Sequence, residues 1–298
     1  MINFTLKQLR YVDALARHGH FGRAAEASAI SQPALSAQIK ELEAALGNRL
    51  FERARQVRLT PFGVEFVDRA RDILGRVDDL GDLARAAGTR LVGRLRIGVI
   101  PTIAPYFLPS LLETLSGSYR DLDIHIRETL TPTLLQELQQ GRIDTAILAL
   151  PVSEPSLTEV ALFAEDFVLV RAAADAGKPV PDADALREMR LLLLEEGHCF
   201  RDQALSFCKL KPGLAKDGLD ASTLSTLVQM VSAGIGVTLI PEMAVPVEAR
   251  SAPVTVTRFE PPRPSRVVGM VWRRNSALSE QLEQIAEKVR TTAQEMRQ

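Results

Sequence analysis

The feature that most constrains the fold is a regular alternation of strand and helix patterns after residue 93. Apolar and polar residues alternate over 94–100, a leucine-rich helical pattern follows, and 122–127 predicts the next strand. A second helical pattern ends at Gly141, and 143–150 predicts a third strand. Strands that alternate with helices in this way favour a parallel α/β sheet.

Strand and helix patterns continue to the end of the chain. Strands are predicted at 167–171, 191–194, 237–240, 254–259 and 267–272, and helices at 223–233 and 279–296. With 298 residues, of which 46% are hydrophobic, the chain can form more than one core. We therefore predict two α/β subdomains, with the chain crossing between them near Phe163 and returning near Arg266.

Residues 1–60 carry a different pattern, three short helices followed by two strands. A capping box at Thr5 opens the first helix, 22–28 predicts the second, and Ser31 caps a third that runs to about Leu46, with Pro33 in its first turn. The first helix is expected to bury Leu6, Leu9, Val12 and Ala16. The segments 49–53 and 56–59 predict two strands of a wing.

The third helix presents short polar side chains, as a helix that reads the DNA major groove must. The outward residues are Ser31, Gln32, Ser36, Gln38 and Lys40. Glutamine can pair with adenine through two hydrogen bonds, and serine can bind phosphate. The wing adds a basic tip at Arg53 and Arg55. A plain helical bundle with a solvated charged face is the alternative.

The charge distribution favours the nucleic-acid interpretation. Residues 1–60 contain nine Lys or Arg and five acidic residues, a net charge of +4. Because the whole chain carries −1, the remainder carries −5. This asymmetry is typical of a basic DNA-binding module joined to an acidic domain.

A long helix is predicted after Thr60-Pro61, and its apolar positions recur with a period of 3.5 residues. These positions are Phe66, Ala70, Ile73, Val77, Leu80, Ala84 and Ala87. Such a period indicates a two-helix seam and therefore a dimer through this helix. A surface helix packed on its own domain is the alternative.

The two cysteines of the chain, Cys199 and Cys208, lie nine positions apart after a predicted strand. Cys199 is expected at a helix start, where unpaired N–H groups, His198 and Arg201 would favour a thiolate. On one unbroken helix the two residues would be about 13 Å apart, whereas a disulfide needs Cα atoms within about 7 Å. Oxidation would therefore require the helix to reorganise. The alternative is that both cysteines are inert apolar residues.

Other polar residues are expected near Cys199. Ligands of open sheets bind outside the carboxyl ends of strands, where Thr102, Thr131 and His198 are predicted. Both threonines are also plausible helix caps, and His198 could satisfy a buried carbonyl. His18, His20 and His125 have no metal-ligand spacing, so no metal or cofactor is predicted.

The motifs of both halves resemble a known family. FGRAAEASAISQPALSAQIKELEAALGNRLFER and VRLTPFG resemble the winged helix-turn-helix and linker helix of LysR-type transcriptional regulators. GVIPTIAPYFLP, GHCFRDQALSFC and SAGIGVTLIP resemble the OxyR-type peroxide sensors of that family. The resemblance implies a winged helix-turn-helix domain (1–60), a linker helix (61–90) and an α/β effector domain (91–298) of two periplasmic-binding-protein-like subdomains. Subdomain I covers about 91–163 and 267–298, and subdomain II about 164–266.

The resemblance also implies roles for individual residues. Cys199 matches the peroxidatic thiol and Cys208 the resolving thiol. The residues matching the peroxide pocket are Thr102, Thr131, His198 and Arg266, and those matching the DNA contacts are Ser31, Gln32, Pro33 and Ser36. Arg266 would stabilise the thiolate, although a surface charge next to a strand is the alternative. The segment from Lys209 to Asp220 is this sequence's own.

The sequence thus predicts a cytoplasmic transcription regulator, not an enzyme, that senses hydrogen peroxide and controls antioxidant genes. Its expected partners are double-stranded promoter DNA, further copies of the chain up to a homotetramer, and RNA polymerase. No signal peptide or membrane segment is predicted. Two other functions stay open: a regulator that binds a small organic effector, with incidental cysteines, and a thiol peroxidase.

Overall fold

The computed structural model describes residues 4–53, 57–86, 92–208 and 220–295. The chain forms two compact units, Met1–Ala84 and Arg85–Gln298. Arg55 of the predicted wing tip, Ala87 of the predicted seam and residues 209–219 lie outside the described residues. Within them, no helix is long and apolar enough to cross a membrane.

The first unit contains the predicted helices and wing. Its elements are α1 (Leu6–His18), α2 (Phe21–Ala27), α3 (Gln32–Leu46), β1 (Phe51–Arg53), β2 (Val57–Leu59) and α4 (Pro61–Ala86). β1 and β2 pair antiparallel, with Phe51 opposite Leu59. The capping box at Thr5 is present, and Gly19 ends α1 in the left-handed conformation with φ 59°. The capping and turn signals in the sequence therefore placed these helices within about one residue.

The core of this unit is built from all three short helices and the wing. Val12, Leu15, Leu35 and Leu42 are fully buried in it. The expectation for Leu6 was wrong, because its position at the first residue of α1 leaves it 44% exposed. His20, to which no function was assigned, caps α2, since its Nδ1 accepts from the Gly22 N–H at 3.0 Å.

The second unit is built on a seven-stranded sheet. Its first elements are β3 (Gly93–Val99), α5 (Ala104–Ser118), β4 (Leu122–Glu128), α6 (Thr131–Gln139), β5 (Thr145–Leu150) and β6 (Leu157–Ala172). Then come α7 (Ala183–Glu188), β7 (Leu193–Leu194), α8 (Cys199–Phe207), β8 (Asp220–Ala221), α9 (Leu224–Ser232) and β9 (Thr238–Pro241). The last are α10 (Val245–Glu248), β10 (Val254–Arg258), β11 (Ser265–Arg273) and α11 (Ser279–Glu295).

The expectation of a parallel sheet was only partly right. The strand order is β10-β6-β11-β5-β3-β4, with β9 also paired to β6. β3 is parallel to β4 and β5, but β6 and β11 pair antiparallel with each other and with their other neighbours. The sheet is mixed because β6 and β11 carry the chain between two halves of the unit in opposite directions.

Two separate apolar clusters flank this crossing. One includes Leu95, Phe107, Trp272 and Leu282, and the other includes Phe167, Leu193, Phe200 and Leu239. β6 contributes to both clusters, because Leu157 and Leu162 lie in the first and Phe167–Val170 in the second. The carboxyl end of β3 and the start of α8 therefore meet where the two clusters adjoin.

Candidate functional site

Four of the predicted site residues, Thr102, Thr131, His198 and Cys199, line one small pocket, whereas Arg266 and Cys208 are not among its lining residues. The pocket contains about 160 Å³ of space between atoms and is lined by Ile100, Pro101, Thr102, Leu130, Thr131, Gly197, His198, Cys199 and Phe200. The lining comes from three places: the turn after β3, the start of α6 and the start of α8. Chain segments separated by up to about a hundred residues thus bring Thr102, Thr131 and His198 to Cys199, as the strand-end argument predicts.

Cys199 occupies the first turn of α8. Its N-cap residue is His198, whose φ and ψ of −81° and 118° are extended, so the backbone turns into the helix at Cys199 itself. The thiol is half-buried and unpaired. Gly197 precedes this turn with φ 93°, and a Cβ there would lie 3.1 Å from Leu130 Cδ1. Glycine therefore lets the chain approach Leu130 closely at the pocket wall.

Thr131 does not cap a helix. The N-cap residue of α6 is Leu130, and Thr131 is the first helical residue. Its Oγ1 is buried and has no hydrogen-bond partner among the described residues. A buried hydroxyl without a partner costs about 1–3 kcal/mol. The fold therefore bears a cost in stability to place this unsatisfied hydroxyl at the pocket.

Thr102 also does not cap a helix, since Ile103 is the N-cap residue of α5. It is 3% exposed. Its Oγ1 accepts from Arg266 Nη1 at 2.8 Å, and its carbonyl oxygen accepts from Arg266 Nη2 at 3.1 Å. The capping interpretation of both threonines was therefore wrong, because each threonine lies one residue away from the N-cap residue of its helix.

Arg266 is a buried residue, and the surface-charge alternative was wrong. It is 3% exposed, and its guanidinium carbon lies 5.8 Å from the centre of the Phe200 ring. Its Nε donates to Glu165 Oε1 at 2.6 Å, and Nη2 lies 2.5 Å from the same oxygen. Arg266 thus reaches the pocket through Thr102 and Phe200, and its charge is balanced by Glu165.

Glu165 is a site residue that sequence reasoning missed. It is 3% exposed in the middle of β6, and its Oε2 accepts from the Met243 N–H at 3.4 Å. The sequence around it, Ala164-Glu165-Asp166-Phe167, resembles a solvated turn more than a buried strand. A signal did exist: an acid inside an apolar strand must find a cation, and Arg266 begins the paired strand.

His198 is buried beside the thiol. Burial lowers its pKa from the usual value, and the nearby Glu195 opposes that shift only in part. The imidazole is therefore neutral at pH 7, with one nitrogen able to donate and the other able to accept a hydrogen bond.

Cys208 lies at the other end of α8, as its C-cap residue. It is fully buried and unpaired, and burial raises its pKa to about 11. Cys199 packs against the first apolar cluster, whereas Cys208 belongs to the second. Because one helix joins them, the two thiols are separated by about 13 Å of helix and half a turn. The structure is that of the reduced chain.

The predicted DNA-reading residues lie at the start and in the middle of α3, with one more at the end of β1. Ser31, Gln32 and Pro33 are exposed, and Ser31 Oγ accepts from the Ala34 N–H at 3.4 Å as the N-cap. Ser36 and Gln38 are half-buried, Lys40 is exposed, and Arg53 ends β1. Gln38 Nε2 donates to Glu41 Oε2 at 3.0 Å. The buried side of α3 is formed by Leu35, Ile39 and Leu42.

Comparison with known protein families covers nearly the whole chain. Residues 6–64 match the bacterial regulatory helix-turn-helix protein, lysR family, and residues 88–294 match the LysR substrate binding domain. The chain is 43% identical to a probable hydrogen peroxide-inducible genes activator of Streptomyces viridosporus, over 98% of this chain and 95% of that protein. It is 41% identical to OxyR of Escherichia coli K12, over 96% and 94%.

The chain belongs to the LysR family, in its OxyR group.

Solved OxyR structures agree with this placement. A full-length cysteine-to-aspartate mutant of Pseudomonas aeruginosa OxyR gives a TM-score of 0.75 at 37% identity, over 97% of this chain and 95% of that one. A cysteine-to-serine mutant of Corynebacterium glutamicum OxyR with H₂O₂ bound gives 0.68 at 37% identity, over 99% and 94%. This LysR-family chain therefore has the helix-turn-helix and mixed α/β architecture of OxyR proteins.

Proposed function

We propose that the chain is a DNA-binding transcription regulator that detects hydrogen peroxide through Cys199 and controls antioxidant genes. The observation that carries the proposal is the pocket itself. A thiol at a helix start faces a buried, unpartnered hydroxyl of Thr131 and the hydroxyl of Thr102 in a space of about 160 Å³. Measured in the same way, the cleft beside Phe107 and Met243 has about 1360 Å³, so this pocket is far too small for an organic effector. Its side chains pack so closely that even a water-sized molecule enters only when they shift slightly apart.

The chemistry needs only groups that line this pocket. The Cys199 thiolate attacks one peroxide oxygen, the O–O bond breaks, and the other oxygen leaves as water after taking a proton. The sulfur becomes a sulfenic acid, and the Cys208 thiol then attacks it, releasing a second water and forming the disulfide. Thr102, Thr131 and neutral His198 hold the peroxide and assist proton transfer.

The second step makes the sensor a switch. The thiols sit at opposite ends of α8, so the disulfide cannot form until the helix unwinds. One turnover leaves an altered chain rather than a released product, and this is why we assign regulation rather than peroxidase activity. The reorganised surface changes packing between copies of the chain, which biases promoter binding.

The same proposal covers domains and partners. Residues 1–60 bind promoter DNA, 61–90 form the dimerising linker, and 91–298 sense peroxide, with subdomain I at about 91–163 and 267–298 and subdomain II at about 164–266. Ser31, Gln32, Pro33, Ser36, Gln38, Lys40 and Arg53 contact the DNA. A homotetramer acts with RNA polymerase, in the cytoplasm where the promoter is.

Two measurements test the proposal. Micromolar peroxide should convert the free thiols of Cys199 and Cys208 into an intramolecular disulfide, detected by mass spectrometry of the peptides. A Cys199→Ser chain should fail to induce a target promoter under peroxide. Persistent free thiols, or normal induction by the serine variant, would contradict it.

A second candidate function rests on a different cavity. The larger cleft offers about 650 Å³ to water-sized molecules and is lined by Phe107, Phe163, Met243 and Pro246, with charged residues such as Arg258 at its rim. Its size is that of an organic-ligand site. A regulator that uses it would bind a metabolite at equilibrium and occupy its promoter regardless of peroxide, and peroxide-dependent occupancy would exclude it.

A further inference from the structure

Glu165, in the long strand β6, is linked to the small pocket through its ion pair with Arg266, which in turn bonds Thr102. Glu165 and its partner Arg266 are both buried, with each residue 3% exposed. Glu165 Oε1 accepts from Arg266 Nε, and Oε2 accepts from the Met243 N–H. The carboxylate is thus fixed at both oxygens, and it fixes the plane of the guanidinium in turn, because paired N–H donors on one edge define that plane.

The oriented guanidinium determines what Thr102 can do. Arginine has only donors, so Thr102 Oγ1 must be the acceptor in the 2.8 Å hydrogen bond from Arg266 Nη1. The second bond, from Nη2 to the Thr102 carbonyl, holds the backbone of the same residue. The hydroxyl proton of Thr102 is therefore left to donate into the pocket, where it meets the leaving oxygen of a bound peroxide.

We propose that Glu165 is a positioning residue for peroxide reduction, which acts through Arg266 to hold the Thr102 hydroxyl as a hydrogen-bond donor to the peroxide. This inference rests on the proposed function and adds a residue to it. Glu165 is not among the residues that line the small pocket; it lines the larger cleft together with Phe163 and Met243. Its effect on the reaction is therefore indirect.

Positioning and simple electrostatics predict opposite results for the same substitution. Glu165→Gln leaves the positive charge of Arg266 without its partner, and on simple electrostatics an unbalanced cation beside Thr102 and Phe200 would favour an anion in the pocket. If charge alone mattered, every reaction of the thiolate would become faster. If orientation matters, only the reaction that needs the Thr102 donor becomes slower.

The experiment compares two reagents on the full-length chain in a Cys208→Ser background, where oxidation stops at the sulfenic acid. Peroxide oxidation of Cys199 is followed with a sulfenic-acid trap, and alkylation by iodoacetamide at the same pH reports the thiolate. For Glu165→Gln we expect oxidation to slow by ~10-fold or more, since a small misplacement of a catalytic hydrogen-bond donor lowers rates by such factors. Alkylation should be unchanged or faster.

Glu242→Gln is the matched control, because Glu242 lines the same cleft but pairs with the exposed Arg258.

A double-mutant cycle tests the route through Thr102. Because Thr102→Val already removes the donor, adding Glu165→Gln should slow oxidation by less than about twofold. Oxidation of Glu165→Gln at the unaltered rate, or an equal change in oxidation and alkylation, overturns the inference. Full additivity in the cycle does so as well.

Folding is monitored in the same chain with Cys208 restored, through the resistance of that buried thiol to alkylation. If Glu165→Gln exposes Cys208, a second variant, Glu165→Asp, replaces it because aspartate keeps the negative charge. We expect the oxidation rate of Glu165→Asp to lie between those of the glutamine variant and the unaltered chain. An aspartate variant with the unaltered rate would then show a role in folding alone and overturn the inference. A failure of the proposed function itself looks different, because the unaltered chain would then not form the sulfenic acid at all.

Discussion

At the scale of single residues, Thr131 carries the most direct test of what the pocket is for. Its hydroxyl is buried without a partner, so Thr131→Val removes an unsatisfied polar group and keeps the shape. We expect the free energy of unfolding to stay equal or rise by up to ~1 kcal/mol, while peroxide oxidation of Cys199 slows. Urea denaturation and the sulfenic-acid trap measure the two effects.

A second threonine of the same unit provides the control for that substitution. Thr145 is fully buried, and its Oγ1 donates to the Val271 carbonyl at 2.9 Å. Thr145→Val should therefore lower the free energy of unfolding by ~1 kcal/mol without slowing oxidation. If Thr131→Val destabilised the chain as much as Thr145→Val does and left oxidation unchanged, the hydroxyl would be an ordinary structural group.

The behaviour of Thr131 and Arg266 shows where sequence reasoning stops. The Thr-Pro pattern correctly predicted a helix start, but the extended cap conformation falls on Leu130, one residue earlier. Capping is a local property, whereas the burial of Arg266 depends on Glu165, which lies 101 positions away and pairs with it across two strands. The charge of Arg266 can be read from the sequence, but its buried environment follows only from the pairing of two strands that lie far apart in the chain.

His198 gives a pH dependence with a definite sign. Burial lowers the pKa of His198 in the folded chain, whereas in the unfolded chain its pKa is about 6.5. Below pH 6.5 the unfolded chain therefore binds a proton at this histidine more readily than the folded chain does. Stability should therefore be present above pH 6.5 and decline as pH falls, by at most ~1.4 kcal/mol per pH unit from this one group. Urea denaturation of the unaltered chain and of His198→Gln at pH 7.5 and 5.5 measures the difference.

The glutamine variant should lose less stability over that range. Thr145→Val is the control, because it removes a buried hydrogen bond but no titratable group, and this variant should keep the unaltered dependence on pH. Equal slopes for the unaltered chain and His198→Gln would mean that His198 is not held neutral by burial.

At the scale of elements, α8 is the part that oxidation must change. One continuous helix separates the two cysteines, so a chain with the disulfide cannot keep all of α8. Amide hydrogen exchange in 200–207 should become at least ~10-fold faster after oxidation, because local unfolding exposes those amides. Mass spectrometry of the exchanged peptides measures it, and α9 is the internal reference. A disulfide form with α8 still protected would contradict the switch.

The long strand β6 is the element that the sequence predicted least well. Only 167–171 was predicted as strand, yet β6 runs from Leu157 to Ala172. Its first part packs in one apolar cluster and its last part in the other, so the buried positions follow no single alternation. Alternation of apolar and polar residues predicts a strand only where the strand keeps the same face buried along its whole length. The short helices α7 and α10 were missed because neither has enough residues to show a helical period.

At the scale of the whole molecule, α4 is the element through which we propose that two copies of the chain pair. The predicted seam divides into two parts. Near its start, Ala70 is 3% exposed and packs within the first unit, as the surface-helix alternative predicts. Farther along the helix, the seam residues Ile73 and Leu80 are 41% and 67% exposed, whereas Val77 is half-buried. Leu83, which is not a seam position, is 60% exposed. A single chain leaves these side chains in water, which a second α4 would cover.

Leu80, which is 67% exposed, is therefore the residue at which we test the proposed dimer. A leucine buried at a helix seam contributes about 1.5–3 kcal/mol, and a glutamate in its place would also bring a charge into that seam. We expect Leu80→Glu to weaken dimerisation at least ~10-fold and to weaken binding to promoter DNA with it. Sedimentation velocity and a DNA-binding titration at one fixed salt concentration measure these effects. Asp72→Lys, at an exposed position about 110° around the helix from the middle of the seam, should leave the dimer intact. Because both variants change the charge of α4, a Leu80→Glu chain that dimerises like Asp72→Lys would place the interface elsewhere.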